Sequence, residues 1–261
     1  MSRSFADSWD ASDLLLLYAA AKGKLSEFKD VASLSLWLKW CSIRPIKKIV
    51  DEFKPWMDGK VDCTLKELLL RLMDEDSVMY PISVSEFCDE KKFFQKQMDW
   101  SVFEGQQWYR VLGRIWGQKE LVVYATRRYF NREFVYDPAE TKFLTGHNKP
   151  WDMDHIIPKA WVSRQGVSMG DWKNTCNEWI WSIGNFAPIP FSANRSKSDS
   201  AMYNLYETHA KELFFNDRIK EVHDCAVTTD DAMAKTFISV TYSRIKELYL
   251  EIQRPVAALI D

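Results

Sequence analysis

Asp154 and His155 stand side by side in "WDMDHIIPKAW" (151–161), in a chain with only four histidines. Two asparagines follow downstream: Asn185 in "SIGNFAPIP" and Asn194 in "FSANRSKSD", with Lys197 three residues beyond. The carboxylate of Asp154 and the amide carbonyl of Asn194 are hard oxygen donors. Without cysteine or a second nearby histidine, such a pair suits Mg²⁺ or Mn²⁺ better than Zn²⁺. Mg²⁺ held by one or two protein groups keeps positions for waters and phosphate oxygens. A neutral imidazole beside it can take a proton from water, the task of a general base in hydrolysis. Its second ring nitrogen needs a partner that fixes the tautomer, and Asn185 can serve that purpose or pin the loop. One constraint is geometric. Neighbours on a strand point to opposite faces, so Asp154 and His155 line one site only if the strand end bends.

Taken singly, each residue has a plainer role. Asp154 suits a turn cap, and His155 a partly buried histidine. Gly184-Asn185 suits a turn, Asn194 an N-cap and Lys197 a solvated surface. Asp152 reads as a turn or supporting residue. His147, His209 and His223 fall outside the blocks and receive no catalytic role, although His147 is close enough in sequence to line a cleft. It is the order of the blocks taken together that points to chemistry.

The elements that must hold these residues are mostly helical. Before residue 136, helical spacing predicts helices over "SDLLLLYAAAKGKL", "ASLSLWLKWCSI", "IKKIVDEFKPW", "TLKELLLRLMDED", "SVSEFCDEKKFFQKQM" and "GQKELVVYATRRYFNREF". Thr64 and Glu67 form a capping box in the fourth. The last is locally basic: Lys119, Arg127, Arg128 and Arg132 stand against Glu120 and Glu133. It reads as a solvated face or as a ridge that contacts phosphates. "YDPAETKFLTGHNKPWD" is rich in turn formers and marks a boundary. Then come a strand, a loop of about twenty-five residues, a second strand and a helix start near Asn194. After residue 200 the pattern is helical again, and a long amphipathic helix over "DDAMAKTFISVTYSRIKELYLEIQ" is expected to end before Pro255. Trp151, Trp161, Trp179 and Trp181 flank the strands; an aromatic there can stack on an unpaired base, but all four are expected to pack the small sheet against helices.

Composition narrows the function classes. The 261 residues are 46% hydrophobic with 12 Trp, enough for a sizeable core. With 35 basic against 37 acidic residues the net charge is -2, so nucleic acid must be held by a local patch or by a partner. Five scattered cysteines without a CxxC pair argue against a disulfide framework and a thiolate zinc cage, and favour a reducing cytoplasm. "LLLLYAAA" is too short to span a bilayer and no signal core precedes it, so no membrane role is expected. There is no P-loop.

The three blocks, in this order, resemble the HNH (ββα-metal) endonucleases. The likeness is greatest to the C-terminal HNH region of GmrSD-type, modification-dependent restriction enzymes and related anti-phage defence proteins. It covers residues 118 to 205, where "VVYATRRYFNREFVYDP" and "HNKPWD" also look like the approach to the motif. The resemblance implies a mainly α protein with a small embedded ββα-metal unit. It implies a helical domain over 1–135, the nuclease unit over 136–205 and C-terminal helices over 206–261 that pack on it. Asp154 and Asn194 would be the ligands of Mg²⁺ or Mn²⁺, with asparagine where many members have histidine. His155 would be the base that activates water, Asn185 the middle asparagine that orients and supports, and Lys197 a cation near the transition state. Arg127, Arg128 and Arg195 would contact nucleic acid. The implied substrate is DNA, cut to leave 5′ phosphates. Target sensing would be delegated to a separate sensor or nucleotide-using subunit or domain. A different reading of the same residues is a non-catalytic, nucleic-acid-binding or regulatory subunit that keeps an HNH scaffold. A third is a helical interaction protein.

Overall fold

The computed structural model describes residues 55, 58–62, 107–134, 150–164, 173–197, 203–219, 222 and 230–260. The five helices expected ahead of residue 107 lie outside the described residues, apart from helical Pro55. The turn-rich boundary also lies outside them as far as residue 149. Among the described residues the order is α1 (Gln107–Ile115), α2 (Lys119–Ala125), α3 (Arg127–Glu133), β1 (Trp151–His155), α4 (Lys159–Arg164) and α5 (Lys173–Trp179). There follow a 3-10 turn (Ile183–Asn185), β2 (Phe186–Pro190), α6 (Phe191–Lys197), α7 (Tyr203–Thr208), α8 (Ala210–Leu213) and α9 (Asp230–Ile260). The described part is thus mostly helical with one small sheet.

The chain divides into two compact units, one of Met1–Ile115 with Leu250–Asp261 and one of Trp116–Tyr249. In the first, α1 buries Trp108, Val111, Leu112 and Ile115, an i, i+3, i+4, i+7 stripe. The second holds the sheet. β1 and β2 are antiparallel, with Asp154 opposite Ala187 and His155 opposite Phe186. In a two-stranded sheet each strand is an edge, which is why β2 runs on through Pro188 to Pro190. α6 packs on both strands, and α2 packs on β2.

Several local expectations change. The basic helix is two helices, because Thr126 ends α2: its N–H and its hydroxyl both donate to Val122 O, at 2.9 and 2.7 Å. The loop between the strands contains α4 and α5. Asn194 is not an N-cap, since α6 begins at Phe191 directly after β2. α9 continues through Pro255 to Ile260. A mid-helix proline removes one backbone bond, which the rest of a helix this long outlasts.

Two features lock the sheet to α9. Gly184 lies so close to it that a Cβ would sit 2.3 Å from Thr241 O and 2.8 Å from Ile245. Only glycine permits that approach. Next to it the Arg244 guanidinium, 1% exposed, donates to Ile183 O, Gly184 O and Phe186 O at 3.1, 2.9 and 2.7 Å. Its Nε and second terminal nitrogen both donate to Leu213 O, at 3.1 and 3.0 Å. Complete burial lowers its pKa to about 10, so it stays a cation at neutral pH.

Candidate functional site

The polar residues of the strand blocks fall on two faces of β1. Asp152 and Asp154 alternate onto one face. There the Tyr206 hydroxyl of α7 donates to Asp154 Oδ2 at 2.5 Å, and Asn194 Nδ2 of α6 donates to Asp152 Oδ2 at 3.0 Å. Asp154 is buried and Asp152 half-buried. Tyr206 is fully buried, and desolvation, then the Asp154 charge, hold its hydroxyl well above the ordinary value of 10.0. It therefore stays protonated and donates throughout the neutral range. One carboxylate oxygen of Asp154 is thus fixed by a donor from outside the three blocks.

His155 belongs to the other face, with Trp151 and Met153. Its ring lies 4.6 Å from Phe186, tilted, and 4.9 Å from Trp181, edge to face. Lys119 Nζ stands 4.2 Å over the Phe186 ring, and Lys159 Nζ 5.0 Å over the Trp181 ring. At the far end of the same face, Trp151 meets Phe130 at 4.8 Å and Phe134 at 5.9 Å. Strand alternation thus directs His155 away from the carboxylates.

Asn185 holds the turn that joins the pieces. Its Oδ1 accepts from Ile157 N at 2.9 Å, and its Nδ2 donates to Ile157 O and Ile180 O, both at 3.1 Å. Its own carbonyl accepts from Ile156 N at 2.9 Å. Of the two roles the residue type allowed, these contacts are those of a pin across the loop after β1. At 1% exposure, every one of these groups would otherwise be buried without a partner.

The basic candidates are dispersed. Arg132 pairs with Glu133 at 2.9 Å and with Glu212 at 2.7 Å, and also meets His209 Nδ1. Arg127 donates to Tyr124 O at 3.0 Å and lies over the Tyr124 ring. Arg128 is exposed. Arg195 stands 4.0 Å over the ring of Phe191, one helical turn earlier. Lys197 is the last residue of α6, and its side chain lies outside the described residues.

Three of the four flanking tryptophans pack as expected. Trp151 and Trp161 are buried, as is Trp179, which meets Trp116 at 4.8 Å and Tyr242 at 6.1 Å. Trp181 departs from the expectation at 45% exposed. Cys176 is buried, and desolvation raises its thiol to about 12, so it is inert at neutral pH.

Tyr206 and Arg244 are not among the sequence candidates, and Asp152 reads there as a turn or supporting residue. Arg244 had a signal: it falls on the α9 stripe of Phe237, Thr241 and Leu248, all buried. Asp152 had the i, i+2 relation to Asp154. Tyr206, 52 residues from its partner, had none.

Comparison with protein-family models, with curated proteins and with solved structures finds no match. Among the described residues no helix is long and apolar enough to cross a membrane. No group of three or more His, Cys, Asp or Glu gathers among them in a way that could hold a metal ion.

Proposed function

We propose that the chain is a divalent-metal-dependent endonuclease of the HNH kind that hydrolyses DNA phosphodiester bonds and acts as the effector of a prokaryotic restriction or anti-phage system, in the cytoplasm and with sensing supplied by a partner. The observation that carries this reading is the meeting of all three blocks. β1 pairs with β2, α6 packs on both, and Asn194 reaches back to hydrogen-bond Asp152, two residues from Asp154. The two carboxylates and the amide carbonyl are oxygen donors of the kind that Mg²⁺ or Mn²⁺ takes. Asp154 and Asn194 would hold the ion, with Asp152 beside them. When bound, it supplies Lewis-acid stabilisation of phosphoryl oxygens. Tyr206 orients Asp154 by occupying one of its oxygens and Asn185 keeps the end of β1 in register, while a role for His155 in accepting the proton of the attacking water requires the end of β1 to bend its imidazole round to the carboxylate face.

One observation favours the alternative of a non-catalytic subunit on the same scaffold: His155 shares its face with aromatic rings, not with Asp152 and Asp154. Incubation with plasmid and Mg²⁺ or Mn²⁺ separates the two. Cleavage by the wild type that falls by about 10²- to 10⁴-fold in His155→Ala is the expected result for a general base. Wild-type rates in His155→Ala would remove it from the mechanism. If Asp154→Ala and Asn194→Ala disturb folding or assembly while the wild type cuts nothing, the scaffold reading prevails.

A further inference from the structure

We propose that Trp181, with Lys159 over its ring and Lys119 over the neighbouring Phe186, is a stacking site for an unpaired base of a DNA strand beside His155. The inference rests on the nuclease reading for the kind of ligand, but its geometry is independent of it. Among the described residues, Trp181 and Phe191 are the two exposed large hydrophobics. Phe191 meets Arg195, a residue of its own helix. Trp181 belongs to a continuous group instead. Its indole stands edge-on to His155 at 4.9 Å and 6.5 Å from Phe186. The Lys159 ammonium lies over Trp181 and the Lys119 ammonium over Phe186. These cations come from α4 and α2, two separate elements, one over the exposed indole and the other over the buried Phe186 ring beside it.

That combination matches the chemistry of a single nucleic-acid strand. A base offers a π-face to an exposed indole, and the adjoining phosphates meet ammonium groups. A paired base in a duplex has both faces covered by its neighbours, so stacking on a protein ring requires an unpaired or extruded base. The chain as a whole has a net charge of -2, so a local cation pair of this kind is what it can offer a polyanion. The inferred ligand is therefore single-stranded DNA, or a duplex opened locally.

The test is fluorescence anisotropy on the full chain in EDTA, where no cleavage intervenes. A labelled DNA single strand, the matched duplex and the same sequence in RNA are titrated. The wild type is expected to prefer the DNA single strand. Trp181→Leu should weaken that binding by about five- to a hundred-fold, the range of one lost base stack. Trp181→Phe, which keeps a π-face, should stay within about threefold of the wild type. Lys159→Met and Lys119→Met should each flatten the salt dependence by about one phosphate contact. Equal binding by Trp181→Leu and wild type, a Trp181→Phe as weak as Trp181→Leu, or no single-strand binding by the wild type would overturn the site. Tighter RNA binding with the same Trp181 dependence would overturn its assignment to DNA. Unchanged melting temperatures exclude misfolding as the cause. Repeating the series in Mn²⁺ separates the two claims. Trp181-dependent binding without cleavage sinks the nuclease and leaves the site, and cleavage with binding indifferent to Trp181 does the reverse.

Discussion

The two faces of β1 solve the same problem in opposite ways. On one, Asp152 and Asp154 accept directed hydrogen bonds from Asn194 and Tyr206, and the partners are buried or half-buried. On the other, His155 is held by ring packing against Phe186 and an exposed Trp181, with two lysines outside. Directed bonds orient a carboxylate oxygen along a donor–acceptor axis. Ring packing places the imidazole through its contact with two aromatic neighbours. The contrast teaches that precision in this sheet is distributed by side and not by residue, even though Asp154 and His155 share a peptide bond.

The change that should erase the contrast is Arg244→Met. It strips donors from four carbonyls behind the sheet, two of them in the turn that sets both faces. Losing hydrogen bonds to a buried charge should cost about 3 kcal/mol or more, read as a fall in the midpoint of urea unfolding. Gly184→Ala, driven into Thr241 O, should act in the same direction by about 1–3 kcal/mol. An unfolding midpoint close to wild type in both would mean that the sheet does not depend on α9.

Tyr206→Phe should break the carboxylate face alone. Removing one charge-assisted donor from buried Asp154 should cost about 1.5–3 kcal/mol at pH 7. The pH dependence carries the signature. The folded-state pKa of Tyr206 is raised, so its contribution is whole below pH 10, where the unfolded phenol titrates. Above that the unfolded chain ionises while the native one resists, and stability drops. The phenylalanine variant lacks this drop, so the wild type's advantage should shrink as pH climbs past 10. An advantage constant from pH 7 to pH 11 would detach Tyr206 from Asp154.

Trp181→Leu should be the gentlest. At 45% exposure the indole packs little, and the unfolding free energy should move by no more than about 0.5 kcal/mol. A loss above about 2 kcal/mol would place Trp181 among the packing residues and leave the His155 face with no role beyond structure.

The strands and the helix at Asn194 were legible because each is short and local: "WDMDH", "FAPIP" and the residues after Pro190 carry their own periodicity and turn chemistry. The opposite-face constraint on Asp154 and His155 also followed from the alternation of a strand. What escaped depended on distance along the chain. Tyr206 acquires its role only from a partner 52 residues away. Arg244 serves carbonyls about sixty residues earlier. The split of the basic helix turned on one threonine hydroxyl competing for a main-chain carbonyl, a choice that propensity does not resolve. The exposure of Trp181 depends on which side of a buried turn it leaves, while its neighbour Ser182 donates inward to Trp179 O.

The dovetail of Gly184 and Arg244 with α9 also bears on modularity. A hairpin followed by a short helix invites excision as a minimal domain, or grafting onto another binding protein. A fragment that ended at Lys197 would leave behind the carbonyl that Gly184 abuts and the guanidinium that gathers the carbonyls of Ile183, Gly184 and Phe186. The hairpin is therefore not a portable part. Any transplant of its chemistry must carry a stretch of α9 with it, or supply a cation of equal reach from the new host.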